Sequence, residues 1–175
     1  MTASYQKDYP RPQLVRQNWQ NLNGSWDFCF DDDKQGEALG YPVHFPNHSR
    51  TIQVPFSYET AASGIGDERP HPQVWYRRRF RAAKTPGMRT LLHFEGVDYR
   101  ADVWVNGVYA GGHTGGYARF SLDLTAHLKE GENELVVSAK DSYDTAQPRG
   151  KQRWYDHTYA CWYVQTTGIW KTLWL

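Results

Sequence analysis

Long apolar runs, helical periodicity and cysteine are what this chain has least of, and each shortage closes off a class of answers. No segment approaches the roughly 20 consecutive apolar residues that a membrane-spanning helix needs. The opening residues Met1-Thr-Ala-Ser-Tyr-Gln-Lys-Asp-Tyr-Pro10 lack the apolar centre of a secretory signal. The expectation is a soluble, cytoplasmic chain with no membrane partner. Excess charge of one sign is also missing: 20 Lys and Arg face 19 Asp and Glu, so no long-range field draws in nucleic acid or an anionic surface. The two cysteines, Cys29 and Cys161, lie far apart among apolar or aromatic neighbours, which reads as two buried free thiols more readily than as a disulfide scaffold. Internal repeats and low-complexity tracts are missing too, and 175 residues suit a single domain with a full core over 1–175.

What the chain has is aromatic residues and strand alternation. Eight Trp and twelve Tyr exceed what a core of this size requires, so some rings are expected at the surface, at a sugar-stacking face or a domain interface. Strand-like segments run over 25–30, 51–54, 74–80, 89–94, 101–105, 108–110, 134–139 and 169–175, separated by Gly- and Pro-rich turns. Trp26, Phe28 and Phe30 alternate with Ser25, Asp27 and Cys29 to give one aromatic face. Val74, Tyr76, Arg78 and Phe80 share one side of their segment, while Trp75, Arg77 and Arg79 share the other, and that arginine face is expected in solvent or toward a partner.

Asn106-Gly107 lies between two β-branched segments, where a two-residue turn requires positive φ at both central positions, so a hairpin is expected there. On its first arm Ala101, Val103 and Val105 point one way and Asp102 and Trp104 the other. Thr125, followed by Ala-His-Leu-Lys and Gly131, reads as the cap of one short helical turn. Pro10 and Pro12 open the chain as an extended arm over 1–20. Many short strands without βαβ alternation predict an all-β fold, a two-sheet sandwich of jelly-roll type.

The residues give little sign of catalysis or of a cofactor. Paired-carboxylate acid–base chemistry needs two carboxyl groups held close together; Glu59, Glu95, Asp98 and Asp102 are the best-placed acids, yet their spacing identifies no pair, and hydrogen bonding at the sandwich edge is the competing role. His44 and His48 with Asp31, Asp32 and Asp33 match no zinc or calcium-loop spacing and read as a solvated acidic loop, with a structural calcium or sodium ion left open. Gly111, Gly112, Gly115 and Gly116 are not followed by a helix, so they form no phosphate cradle and serve tight bends after the hairpin. No cofactor is expected.

In order along the chain, Leu22-Asn-Gly-Ser-Trp-Asp-Phe28, Val54-Pro-Phe-Ser-Tyr-Glu59, Ser63-Gly-Ile-Gly66, Val74-Trp-Tyr-Arg-Arg-Arg-Phe80, Val103-Trp-Val-Asn-Gly107, Gly115-Gly-Tyr-Ala-Arg-Phe120, Asp123-Leu-Thr125, Gly131-Glu-Asn133 and Thr167-Gly-Ile-Trp170 form a set. The set resembles the N-terminal sugar-binding domain of glycoside hydrolase family 2, which includes β-galactosidases, β-glucuronidases and β-mannosidases. The resemblance covers nearly the whole chain and implies a galactose-binding-domain-like jelly roll. It also implies that the acid/base and nucleophile glutamates lie in a later (β/α)8 barrel, reached through an immunoglobulin-like domain, beyond Leu175. On this reading the chain is an excised, non-catalytic domain of a β-galactosidase-type enzyme. Its partners are carbohydrate and the missing C-terminal domains, with oligomerisation of the parent a further role. A free-standing carbohydrate-binding module and a pure interaction domain are the rivals.

Two loops are candidates for sugar contact. The segment 147–167, Gln-Pro-Arg-Gly-Lys-Gln-Arg-Trp-Tyr-Asp-His-Thr-Tyr-Ala-Cys-Trp-Tyr-Val-Gln-Thr-Thr, is too long and aromatic for a passive link. Arg149, Lys151 and Gln152 offer donors to hydroxyls or a carboxylate, and Trp162 or Tyr163 a ring for a pyranose face. The resemblance implies that this loop reaches the barrel's mouth; packing against the next domains is the alternative. The segment departs from the commoner family form, with Ala160-Cys-Trp-Tyr-Val-Gln165 where relatives often carry Gly-Ile-Trp-Tyr-Thr-Pro. In the second loop, 63–73, His71 is held extended between Pro70 and Pro72 and is either a substrate contact or an ordinary exposed histidine.

Overall fold

Alternation along each strand decides how the layers meet. The computed structural model describes residues 18–175, so most of the arm expected over 1–20, with Pro10 and Pro12, lies outside the described residues. The strands are β1 (Gly24–Phe30), β2 (Arg50–Val54), β3 (Gln73–Ala82), β4 (Leu91–Phe94), β5 (Val97–Asp98), β6 (Arg100–Val105), β7 (Val108–Thr114), β8 (Phe120–Asp123), β9 (Gly131–Lys140), β10 (Gly168–Ile169) and β11 (Leu173–Trp174). One layer is a six-stranded antiparallel sheet in the order β2-β1-β3-β9-β6-β7; the other holds β11-β4-β8 and the short pair β10-β5. The fold is an all-β sandwich.

Its core follows the alternation. Trp26 and Phe28 of β1, Val74, Tyr76 and Phe80 of β3, and Ala101, Val103 and Val105 of β6 meet Leu92, Phe94, Val97, Leu124, Ile169 and Leu173 from the other layer. Each large apolar side chain so buried contributes on the order of 1.5–3 kcal/mol. The hairpin forms as expected, with Asn106 at φ 52° and Gly107 at φ 80°. Asn106 also ties the turn to its surroundings, donating from Nδ2 to His127 O at 2.9 Å and accepting from Glu134 N at 3.1 Å.

The opposite face of the large sheet is not left to solvent. Cys29, Trp75, Trp104 and Val136 form a second apolar cluster with Phe45, and Tyr41 packs against it. The loop between β1 and β2 therefore lies across this face as a cover. Trp75 and Trp104 stack with centroids 5.3 Å apart. Asp31 anchors the cover by accepting from Trp75 Nε1 at 2.8 Å, Gly36 N at 2.8 Å and Gln35 N at 2.9 Å. The reading of 31–33 as a solvated acidic loop holds for Asp32 and Asp33, which are exposed, and is corrected for Asp31, which is buried with three donors converging on it. Among the described residues no His, Cys, Asp and Glu group assembles as a metal set.

Other expectations change as well. The segment 169–175 breaks into β10 and β11, and β5 and β8 are strands that the pattern did not mark. Gly111 and Gly112 lie inside β7, where the pairing with β6 shifts register beside Gly111, between Val103↔Gly111 and Trp104↔Tyr109; a side chain at Gly112 would press on Ala101 O. Thr125 opens a single turn, and Asp123 is its cap, accepting from Thr125 N at 3.0 Å. Both thiols are free, but only Cys29 is buried, where desolvation pushes it up to about 12; Cys161 is exposed. On the arginine face Arg77 pairs with Asp27 at 2.6 Å and Arg79 with Glu134 at 3.4 Å. No helix among the described residues is long and apolar enough to cross a membrane.

Candidate functional site

The segment between β9 and β10 returns over one end of the sandwich, and its attachment is unusual in kind. Between residues 142 and 166 the buried side chains are Arg149, Gln152, Arg153 and Gln165, all polar. Gln152 Nε2 donates to Asp98 Oδ2 at 2.7 Å and to the Tyr117 hydroxyl at 3.2 Å, while its Oε1 accepts from Thr166 N at 2.8 Å. Arg149 lies 3.5 Å from Asp141 and donates to Arg153 O at 3.1 Å. Thr167 closes the segment by donating from N to Glu59 Oε1 at 3.1 Å and from Oγ1 to Asp141 Oδ2 at 3.3 Å.

This cluster is rich in acid. Burial raises the Glu59 carboxyl to about 7 against the hydrogen bonds it accepts. Burial, together with the Asp141 carboxylate, raises Asp98 to about 7. Asp141 is also raised by burial, with Arg149 opposing. Desolvation disfavours each charged form because the site offers few fixed positive groups in place of water. Gly116 admits this arrangement, since any side chain there would overlap the Asp98 carboxylate.

The two candidate loops meet. Arg153 donates to Glu68 O at 2.6 Å and Gln165 to the same carbonyl at 3.1 Å. Between them a cavity of about 220 Å³ is lined by Pro70, His71, Pro72, Asp141, Tyr143 and Thr167, among others. His71 is buried, which corrects the exposed-histidine alternative: its ring stacks on Phe30 at 3.6 Å, and Nδ1 is 2.8 Å from Asp32 Oδ1. Its Nε2 lies 3.5 Å from Asp67 Oδ2 without hydrogen-bond geometry, and Glu59 Oε2 and Arg149 Nε have no hydrogen-bond partner among the described residues.

The remaining candidates divide by position. Arg149 and Gln152 point inward and are held by the fold, whereas Lys151 is exposed. Beyond Arg153 the segment forms a small hairpin: Tyr159 and Trp162 exchange backbone hydrogen bonds at 3.3 and 2.8 Å, and Tyr163 bonds back to Lys151 and Arg153. Trp162 is half-buried against Trp154, centroids 4.3 Å apart, and Trp154, Tyr155, Tyr159 and Tyr163 are exposed. The sequence singled out donors and rings here but missed Asp141, Arg153, Gln165 and Thr167. The position of Thr167 after a long polar segment and before Gly168-Ile169 was the available signal.

Comparison with known proteins bears on the same regions. The family described as glycosyl hydrolases family 2, sugar binding domain, matches residues 19–159. A putative β-glucuronidase of Formosa agariphila is 39% identical over 127 residues, covering 71% of this chain and 15% of its own. A β-galactosidase of Bacteroides ovatus is 30% identical over 162 residues, covering 89% of this chain and 17% of its own. The solved β-glucuronidase of Ruminococcus gnavus superposes with a TM-score of 0.73 at 19% identity, covering 92% of this chain and 29% of that one. This chain spans between 12% and 22% of the length of the curated relatives it matches. With the ordered motifs, the sandwich and the family match in agreement, the chain belongs to glycosyl hydrolase family 2, as its N-terminal sugar-binding domain.

Proposed function

We propose that residues 1–175 serve as a non-catalytic domain of a retaining β-glycosidase, bracing the catalytic barrel and lending the 63–73 and 147–167 loops to the rim of its substrate pocket. The observation that carries this reading is the convergence of both loops on one end of the sandwich, around His71 and Asp141, with Lys151 and several rings left outward. Sugars suit such a surface: ring C–H faces pack on aromatic planes while hydroxyls find donors at their edges. In this arrangement Arg149 and Gln152 hold the loop, Lys151, Trp162 and Tyr163 meet the substrate or its aglycone, and His71 lines the junction.

The parent's substrate is a terminal β-glycoside. The β-galactoside expected from the sequence stands beside β-glucuronide, which the similarity to the Formosa protein favours. On this reading a (β/α)8 barrel of the parent supplies the two carboxyl groups. The test is to assay the 175-residue chain and the complete gene product on nitrophenyl β-galactoside and β-glucuronide. The complete product turns over one of them and the isolated chain neither; turnover by the isolated chain sinks the proposal. In the complete product, Lys151→Ala and Tyr163→Ala are expected to raise KM several-fold.

A second reading, a module that holds glycan without any barrel, is favoured by the exposure of Trp154, Tyr155, Tyr159 and Tyr163. Saturable binding of oligosaccharide by the isolated chain separates the two.

A further inference from the structure

The dipeptide that makes the β6–β7 turn, Asn106-Gly107, is also one from which an asparagine amide is readily lost. The backbone nitrogen of the following residue attacks the side-chain Cγ, and glycine puts no Cβ in the way. As the N–Cγ bond forms, the nitrogen gives its proton to solvent. The Cγ–Nδ2 bond then breaks, Nδ2 takes up a proton and leaves as ammonia, and a cyclic succinimide remains. Water opens that ring at either carbonyl, giving aspartate or isoaspartate. The chain carries a second such pair, Asn23-Gly24.

The fold engages both amides elsewhere. Asn106 Nδ2 donates to His127 O and to Asn133 Oδ1, each at 2.9 Å, and Oδ1 accepts from Glu134 N at 3.1 Å. Both donor hydrogens and an acceptor lone pair are therefore in use. All three partners lie between residues 127 and 134, in β9 and the turn before it, and swinging Cγ onto Gly107 N means giving up these bonds together. Asn133 is itself fixed and buried: its Oδ1 also accepts from Lys129 N at 2.8 Å, and its Nδ2 donates to Lys129 O at 2.9 Å and Gly131 O at 3.0 Å. Asn23 is buried as well, donating from Nδ2 to Thr172 Oγ1 at 3.2 Å and accepting at Oδ1 from Leu173 N at 3.3 Å.

We propose that Asn106-Gly107 and Asn23-Gly24 are latent deamidation sites that folding closes, so that loss of either amide marks a chain that has spent time unfolded. At Asn106 the mark also damages the fold. An aspartate there turns a carboxylate toward His127 O and Asn133 Oδ1, two acceptors left without their donor. Asn133 has no free flip to offer in return, because both ends of its amide are held by residues 129 and 131. An isoaspartate runs the chain through Cγ and so adds a backbone atom between Val105 and Val108, which pair directly across the turn. The strand it distorts, β6, lies between β9 and β7 in the large sheet.

In the folded chain the reaction proceeds only through moments when the turn is open, so its rate relative to a free peptide reads that opening. None of this depends on which sugar the parent takes. The test is to hold the 175-residue chain at mildly alkaline pH, folded in buffer and unfolded in guanidinium, and to follow isoaspartate and the amide-to-acid mass gain. The tryptic peptide 101–119 contains Asn106 as its only asparagine, and Asn23 is localised by fragmentation of peptide 17–34. Free peptide 101–119 in both solutions supplies the intrinsic rates.

After that correction, Asn106 and Asn23 are expected to react at least tenfold more slowly in the folded chain. Rates within twofold of each other in the two states overturn the proposal whether or not any variant folds. Asn133→Ala, which removes one acceptor of the Asn106 amide, is expected to speed loss at Asn106 at least threefold in the folded chain and to leave Asn23 unchanged. An unaltered Asn106 rate in a folded Asn133→Ala chain overturns the assignment of protection to the held amide. Asn106→Asp, one product of the reaction, is expected to lower the guanidinium midpoint, and an unchanged midpoint overturns the claim that the lesion harms the turn.

Discussion

Replacing Asp31 by Ala tests whether the β1–β2 loop is fastened to the outer face of the large sheet by one carboxylate. Three donors converge on that side chain, and two of them, Trp75 Nε1 and Gly36 N, are buried. A buried donor stripped of its partner costs about 1–3 kcal/mol, so two cost about 2–6 kcal/mol. Relaxation of the loop backbone releases some of this, and a loss of about 2–4 kcal/mol is expected. The site leaves little room for rearrangement, since even a Cβ on Gly36 would come within 2.5 Å of Trp75 Nε1. Urea unfolding measures the effect: at a slope of about 2 kcal/mol per molar, the midpoint falls by about 1–2 M. Asp31→Asn retains one acceptor oxygen and is expected to lose about half as much. A midpoint shift below about 0.3 M for Asp31→Ala would refute the fastening argument and assign the cover's stability to Phe45 and Tyr41 alone.

Gly168→Ala sets a methyl against the Tyr76 hydroxyl at a backbone φ of 84°, so clash and conformation act together. A loss of about 2–5 kcal/mol is expected, and a fall in Tm of less than about 3 °C would contradict the packing described at the β5–β10 pair. Thiol titration with a disulfide reagent in the native state should register Cys161 alone, with Cys29 reacting only after unfolding. Two fast thiols would show that the cover over Cys29 opens readily.

The layers of the fold were legible wherever alternation was strict. Trp26 and Phe28 go to the core side of β1 as their spacing requires, and Asn106-Gly107 sets the β6–β7 register. The second apolar cluster was not legible. Trp75, Trp104 and Phe45 are 29 or more positions apart from one another in sequence, and only the folded loop brings Phe45 over the sheet. The short strands β5 and β10, two residues each, carry too few positions for any periodicity. At the site, the sequence located the right loop, because donors and rings concentrate in 147–167. It did not separate inward from outward residues, because Arg149 and Lys151 offer similar chemistry, and the difference lies in Asp141, which is brought near Arg149 by the turn of the chain. His71 shows the same limit. Flanking prolines signalled an extended backbone, but burial came from Phe30, 41 positions earlier.

The polar seating of the 141–167 segment also bears on how such a domain diversifies. Its ring-bearing tip, residues 154–163, places no side chain in the sandwich interior. Exchanging Trp154, Tyr155, Tyr159 or Tyr163 therefore leaves the interior packing untouched, and so does shortening the tip between them. Substitutions at Asp98, Gln152 or Asp141 alter the seat on which every tip variant must sit. The tip is free to drift toward new ligands over generations of sequence change, while the seat is bound to the fold.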